Sequence, residues 1–370
     1  MNPFDYQHPA GEGTPFIGRR VIVDKIYSRI AATRPQSVSI VGPPGIGKTS
    51  LMRFLTSTQN RERYLGDADK YLYIYLELQT LRRISFKTFS VRFCRCVLKE
   101  VSGLIAVNNT RPDYDLFKKI VENLHREGYR IILFFDDFHL ITQNPDFPLE
   151  FFSFFRSLAN NYNLAFVTSS FLPLQKLCVS KDVEESPFFN IFSNITLKPF
   201  TPQESRELVE KPLSGAGPSL GAVGEIIRSA AGPFPLPLQM ACYLAFEKLS
   251  VAQEATAETL DAFSEEFYRR VTPYYQRIWE YLEDEDRQIF HCLLTGRKID
   301  HTLQYRIHHL SLNRYIRENG TGLEISARSL EQFMEEKLNL PREGWKLRLR
   351  KFRKKWRRLV GSAPTTVGFF

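Results

Sequence analysis

No run of 18 or more apolar residues occurs in this chain, and its opening, MNPFDYQHPAGEGTPF, lacks the basic-then-apolar order of a secretory leader. The expectation is a chain neither exported nor membrane-spanning by its own sequence, and so cytoplasmic. Cysteine is scarce, with five in 370 residues. Only Cys94 and Cys96 are close, in a C-x-C spacing that suits neither a zinc knuckle nor a CxxC redox pair. They read as reduced, mostly buried thiols. Internal repeats and low-complexity tracts are missing too, as are a protease triad arrangement and a nuclease-type carboxylate cluster. These absences exclude a disulfide-stapled secreted domain, a membrane span and a repeat array.

What is present is an ordinary globular composition, 43% hydrophobic and 25% charged, at a length that suggests two or three domains. The net charge of +9 is concentrated at one end. Ten of the 50 basic residues lie between Arg342 and Arg358 beside one acid, Glu343, which leaves 40 basic and 40 acidic residues elsewhere. The body is neutral and the tail is basic.

Apolar runs alternate with helical patterns, as parallel α/β units require. Buried strands are expected at Ser37 to Val41, Tyr71 to Leu78, Arg130 to Asp136, Leu164 to Thr168 and Asn194 to Leu197. Five such strands imply a doubly wound, five-stranded parallel sheet over residues 1–200. After Thr201-Pro202, a capping signal, the strand pattern stops and a helical segment runs to about Trp279, broken at SGAGPSLG and AGPFPLP. From 280 to 340 the order is helix (EDRQIFHCLL), second segment (HTLQYRIHHL), then two short strands around Asn319-Gly320-Thr321-Gly322. That is the order of a winged helix. Residues 341–370 form the tail.

Gly42-Pro43-Pro44-Gly45-Ile46-Gly47-Lys48-Thr49 fits G-x-x-x-x-G-K-[ST] at every fixed position, and Ser50 follows in the helix. Its flanks, strand VSIV and apolar-faced helix LMRFL, supply the context that the motif needs. The glycines let backbone amides curl around phosphates, Lys48 neutralises phosphate charge, and the Thr49 hydroxyl can ligate Mg²⁺. A second acid site should close another buried strand, and IILFFDD ends in Asp136, placed to hold a metal's water shell. Asp137 stands where many ATPases carry a water-polarising Glu; one methylene shorter, it is compatible with slow hydrolysis. The next buried strand ends in three hydroxyls, Thr168, Ser169 and Ser170, which either sense a γ-phosphate, with Thr168 the candidate, or cap the following helix.

Together with FIGRR at Phe16 to Arg20, SPFFN at Ser186 to Asn190, LKPFT at Leu197 to Thr201 and GPFP at Gly232 to Pro235, these motifs resemble the STAND ATPases. Those are signal-transduction relatives of the AAA+ proteins and are similar to origin-recognition-type ATPases; the resemblance covers roughly residues 14 to 340. It implies that Phe16, Ile17 and Gly18 form part of a base pocket. It also implies that Pro235, matching the proline of the family's G-x-P motif, touches the nucleotide and reports its state. Pro233 replaces that motif's second glycine, and no arginine follows the fourth strand at FVTSSFLP.

The family's winged helix generally packs as a lock. A DNA-binding use would draw on Arg306, His308, His309, Arg314 and Arg317, a modest basic set interleaved with Glu318 and Glu324. In the tail, Trp345, Leu349, Phe352, Trp356 and Leu359 form one helical stripe among the Lys and Arg residues. Such a segment binds DNA or an anionic membrane, docks on a partner, or packs against the winged helix. The resemblance thus implies a cytoplasmic ATP/ADP switch with Mg²⁺ that opens and self-associates, or engages a protein partner, in its ATP state. A DNA-handling ATPase and a membrane-recruited scaffold, placed at the nucleoid or membrane by the tail, are the alternatives.

Overall fold

The computed structural model describes every residue except Met1, 12–14, 82–83, 105–112, 214–220, 252–256, Thr321 and 341–370. The basic tail and its apolar stripe therefore lie outside the described residues. The contacts divide the chain into two compact units: Arg19–Pro43 with Lys48–Leu197, and Met1–Gly18 with Pro44–Gly47 and Lys198–Phe370.

The first unit is built on five parallel strands, β1 (Ser37–Val41), β2 (Tyr71–Glu77), β3 (Arg130–Asp136), β4 (Leu164–Ser170) and β5 (Phe192–Thr196), in the order β2-β3-β4-β1-β5. Each expected strand is present within two residues or so of its expected ends. β1 and β4 are buried along their whole length, which explains their near-continuous apolar runs. The helices are α1 (Arg20–Ile30), α2 (Lys48–Thr56), α3 (Thr58–Tyr64), α4 (Phe86–Val101), α5 (Tyr114–Arg126), α6 (His139–Thr142), α7 (Leu149–Asn161) and α8 (Lys181–Glu184). Asp113 starts α5 by accepting from the Leu116 amide at 2.9 Å. Beside the sheet lies a core rich in phenylalanine: Phe89, Phe93, Phe117, Phe135, Phe155 and Phe166 are all buried, mostly with edge-to-face contacts.

The second unit contains α9 (Pro202–Glu210), α10 (Gly221–Ala231), α11 (Pro235–Val251), α12 (Ala257–Tyr281), α13 (Asp284–Thr295), α14 (Gln304–Leu312), the antiparallel hairpin β6 (Ile316–Asn319) and β7 (Gly322–Ile325), and α15 (Arg328–Lys337). α9 opens on a capping box, with the Thr201 hydroxyl accepting from the Glu204 amide at 3.1 Å and the Glu204 carboxylate from the Thr201 amide at 2.8 Å. The expected division at residues 279/280 is absent from the packing. Phe234 stacks on Tyr315 at 5.4 Å and the Tyr275 hydroxyl bonds Ser329 at 2.7 Å, so the 201–279 and 280–340 segments share one core. The expected 1–200 domain also loses residues 1–18 to this unit, because Phe4 and Ile17 are buried in that core.

Candidate functional site

The phosphate-loop sequence forms the strand-to-helix turn between β1 and α2. Gly45 and Gly47 sit at φ +72° and +95°, left-handed conformations that a side chain resists, and a Cβ on Gly47 would meet nothing within 4 Å. The Gly42 amide donates to the Ser170 carbonyl at 3.1 Å, tying the loop to the end of β4. Lys48 opens α2, its ammonium donating to the carbonyls of Gly42 at 2.7 Å and Pro43 at 3.1 Å. Burial pulls its pKa down to about 8, against partial compensation from Asp137 and Asp136. A buried cation resting on loop carbonyls is a group that an anion in the loop would stabilise. Thr49 and Ser50 follow in the first turn of α2, half-buried.

Asp136 closes β3 and is 2% exposed. Its Oδ2 accepts from the Tyr75 hydroxyl at 3.0 Å, and its Oδ1 accepts from the Ser169 hydroxyl. The same Ser169 oxygen accepts from the Asp137 amide at 2.8 Å, so one hydroxyl fixes both acids. Burial and the neighbouring Asp136 push the Tyr75 phenol up, which keeps it a donor. Asp137 has φ +59°, and its carboxylate accepts from Gln79 Nε2 at 2.6 Å.

Lys48, Asp136 and Asp137 lie near enough for both carboxylates to act on the ammonium. Thr168 does not join them. Phe135 pairs with Thr168 in the β3–β4 register, so alternation puts Thr168 on the opposite sheet face from Asp136, where its hydroxyl is buried and has no partner among the described residues. Ser169, one residue on, takes the position beside the acid. Sequence reading had Ser169 only as one of three hydroxyls, with Thr168 preferred, and missed Tyr75 and Gln79. Counting alternation from Phe166, a core residue, would have turned Ser169 towards Asp136; no local signal marks Tyr75 or Gln79.

In the unit that holds residues 44–47, the Gly45 carbonyl accepts from the Leu236 amide at 3.3 Å, and Pro235 is the first residue of α11. Ile46 is buried. Of the FIGRR segment, Phe16 is half-buried and Ile17 belongs to the core. Gly18 (φ +76°) lies under the capping carboxylate of Glu204: a Cβ there would stand 2.8 Å from Glu204 Oε1. That contact is a structural reason for the glycine, beside the adenine role implied by resemblance.

The basic residues of the helix–hairpin segment are largely consumed by partners. Arg306 forks onto the buried Asp286, at 2.8 Å from Nε, and reaches Glu283 at 3.1 Å. Arg314 donates to the Phe200 carbonyl at 2.9 Å, and Arg317 pairs with Glu324 at 2.5 Å. His309 lies beside Asn313, and His308 is exposed.

Parallel order, the loop between β1 and α2, and the acid at the end of β3 define a P-loop NTPase fold. The chain belongs to the novel STAND NTPase 2 family, which matches it over residues 32–297. Among curated proteins there is no match. Among solved structures it is similar to the ORC2 protein of Aeropyrum pernix in ADPNP–ADP complexes, at 14% identity over 92% of this chain and 98% of that one, with a TM-score of 0.58. The ADP form of that protein matches at 15% identity over 91% and 96%, TM-score 0.55. The Walker-type ATPase PABY2304 of Pyrococcus abyssi matches at 16% identity over 90% and 99%, TM-score 0.53. At these identities the likeness is one of fold. Family membership makes this a nucleotide-binding NTPase. No helix among the described residues is long and apolar enough to cross a membrane.

Proposed function

We propose that the chain is an ATP-dependent molecular switch that hydrolyses ATP slowly, with Mg²⁺. The carrying observation is the bond from the Leu236 amide to the Gly45 carbonyl. It ties the phosphate loop to the first turn of α11, so a change in what the loop holds alters the seat of that helix. A ligand shifts a conformation only through differential contacts. On this reading the loop amides and Lys48 bind the phosphates, and Pro235 and Leu236 register them, while Phe16, Ile17 and Gly18 border the base.

Among the described residues no group of three or more His, Cys, Asp and Glu could hold a metal. Thr49 and Asp136 fit Mg²⁺ of the kind that takes one or two protein oxygens and fills the rest with phosphate and water. The ion would neutralise charge on the transferred phosphoryl group. Asp136, fixed by Tyr75 and Ser169, offers its carboxylate to that shell. Asp137 orients the attacking water once it releases Gln79, a requirement that agrees with slow turnover.

The ion pairs of Arg306 and Arg317 and the carbonyl bond of Arg314 support the packing role of the winged-helix-like segment over a DNA grip, which needs several free cations. DNA or an anionic membrane then falls to Arg342–Arg358. Mass measured in ADP, ATP and a slowly hydrolysed analogue, with and without DNA, tests the switch: self-association with ATP and the analogue but not with ADP is expected. An unchanged mass in all three sinks it. Lys48→Ala should weaken ATP binding by at least about tenfold, the loss of one charge-assisted contact.

A further inference from the structure

We infer that Tyr274 is a further nucleotide-binding residue: its hydroxyl donates to a phosphate oxygen held at the loop tip, Pro44–Gly47. This rests on the phosphate loop binding a nucleotide, as proposed above.

Tyr274 lies on α12, directly after Pro273, a proline inside the helix. That proline removes the N–H that would have bonded the Arg269 carbonyl, so α12 is weakest where the tyrosine projects. The side chain is 4% exposed, and its hydroxyl has no hydrogen-bond partner among the described residues. A buried phenol without a partner costs free energy that a satisfied one does not. Tyr275 next door shows the ordinary solution, bonding Ser329 at 2.7 Å.

The ring meets the loop along its Cδ2–Cε2 edge. A Cβ on Gly45 would stand 2.7 Å from Tyr274 Cε2 and 3.1 Å from Cδ2, so the ring atom next to the hydroxyl-bearing carbon is the nearer one. Leu236 Cδ2, at 3.0 Å, closes the other side. Gly45 is thus glycine for two reasons, its left-handed φ and the ring against its Cα. Beside this contact the first turn of α11 sends the Leu236 amide to Gly45. The Leu236 amide is spent on that carbonyl and Pro235 and Pro237 have no N–H, so the Tyr274 hydroxyl is the unspent donor beside the stretch of loop whose amides curl around phosphate, and it is suited to negative charge. Burial also drives the phenol's pKa far upward, so it keeps its proton at working pH.

Tyr274→Phe removes the oxygen and leaves the ring against Gly45. Binding of ADP and ATP to the full chain by calorimetry, and the melting temperature without nucleotide, make the test. A donor role predicts roughly tenfold weaker binding of at least one nucleotide, with a nucleotide-free melting temperature equal to or above wild type, since no existing bond is lost. Binding of both nucleotides within about twofold of wild type overturns the inference and leaves the switch reading standing. A lower melting temperature with unchanged binding does the same, assigning the hydroxyl to packing. A wild-type chain that binds neither nucleotide overturns both.

Discussion

The strand ends at Asp136–Ser170 and the helix–hairpin segment at 283–325 both gather charged side chains, and they treat them in opposite ways. In the segment, cations are spent: Arg306 on Asp286 and Glu283, Arg317 on Glu324, Arg314 on a carbonyl. At the strand ends, charge is held in readiness by neutral groups. Tyr75 and Ser169 donate to Asp136, Gln79 donates to Asp137, and Lys48 rests on two carbonyls. Hydroxyls, amides and carbonyls fix each charge in place, and Lys48 and the two acids offset one another only at a distance, without a direct ion pair. Charge held by neutral groups suits the binding proposed here; charge spent in ion pairs suits packing.

Three substitutions would break or sharpen that contrast. The largest effect is expected from Arg306→Ala, which leaves Asp286 buried and unpaired at 2% exposure and should cost about 3–5 kcal/mol in denaturant unfolding. Nucleotide affinity should not move in that variant under conditions where it is folded. Next comes Ser169→Ala, which takes away the hydroxyl shared by both acids. The loss of about 1–3 kcal/mol should appear as roughly 10- to 100-fold slower nucleoside-triphosphate turnover at saturating substrate. A matching loss of thermal stability without loss of turnover would make Ser169 a packing residue. Smallest is Arg317→Ala. With side-chain exposures of 60% and 37%, the Arg317–Glu324 pair should be worth under about 1 kcal/mol, and a larger change in unfolding free energy would show the hairpin to depend on it.

The sheet was readable because burial on both faces writes itself as continuous apolar runs: β1 and β3 carry the expected bounds, and β4 runs two residues past its expected end, into Ser169 and Ser170. The capping box at Thr201 and the hairpin around Asn319–Gly322 were readable from local turn chemistry. α15 was not anticipated; its N-cap, Ala327, makes no side-chain cap, so the start signal is absent. In the candidate site, the loop and the acid closing β3 were legible because each lies in one continuous stretch of sequence. Ser169 was legible only as one of three hydroxyls closing β4, and Tyr75 and Gln79 were not, since the fold alone brings them to the acids. The merging of 201–279 with 280–340 was equally hidden, because contacts such as Tyr275–Ser329 join residues far apart in the chain.

Asp137 occupies a left-handed backbone position, φ +59°, between a buried strand and α6. Asp and Asn are favoured in that region because a short polar side chain can bond locally, although Arg19 (φ +63°) and Arg314 (φ +53°) adopt it in this chain as well. The turn therefore suits the shorter acid. On the role proposed above for Asp137, reach towards a water and fit to the backbone are then competing demands at one residue, and lengthening the acid alone changes both at once.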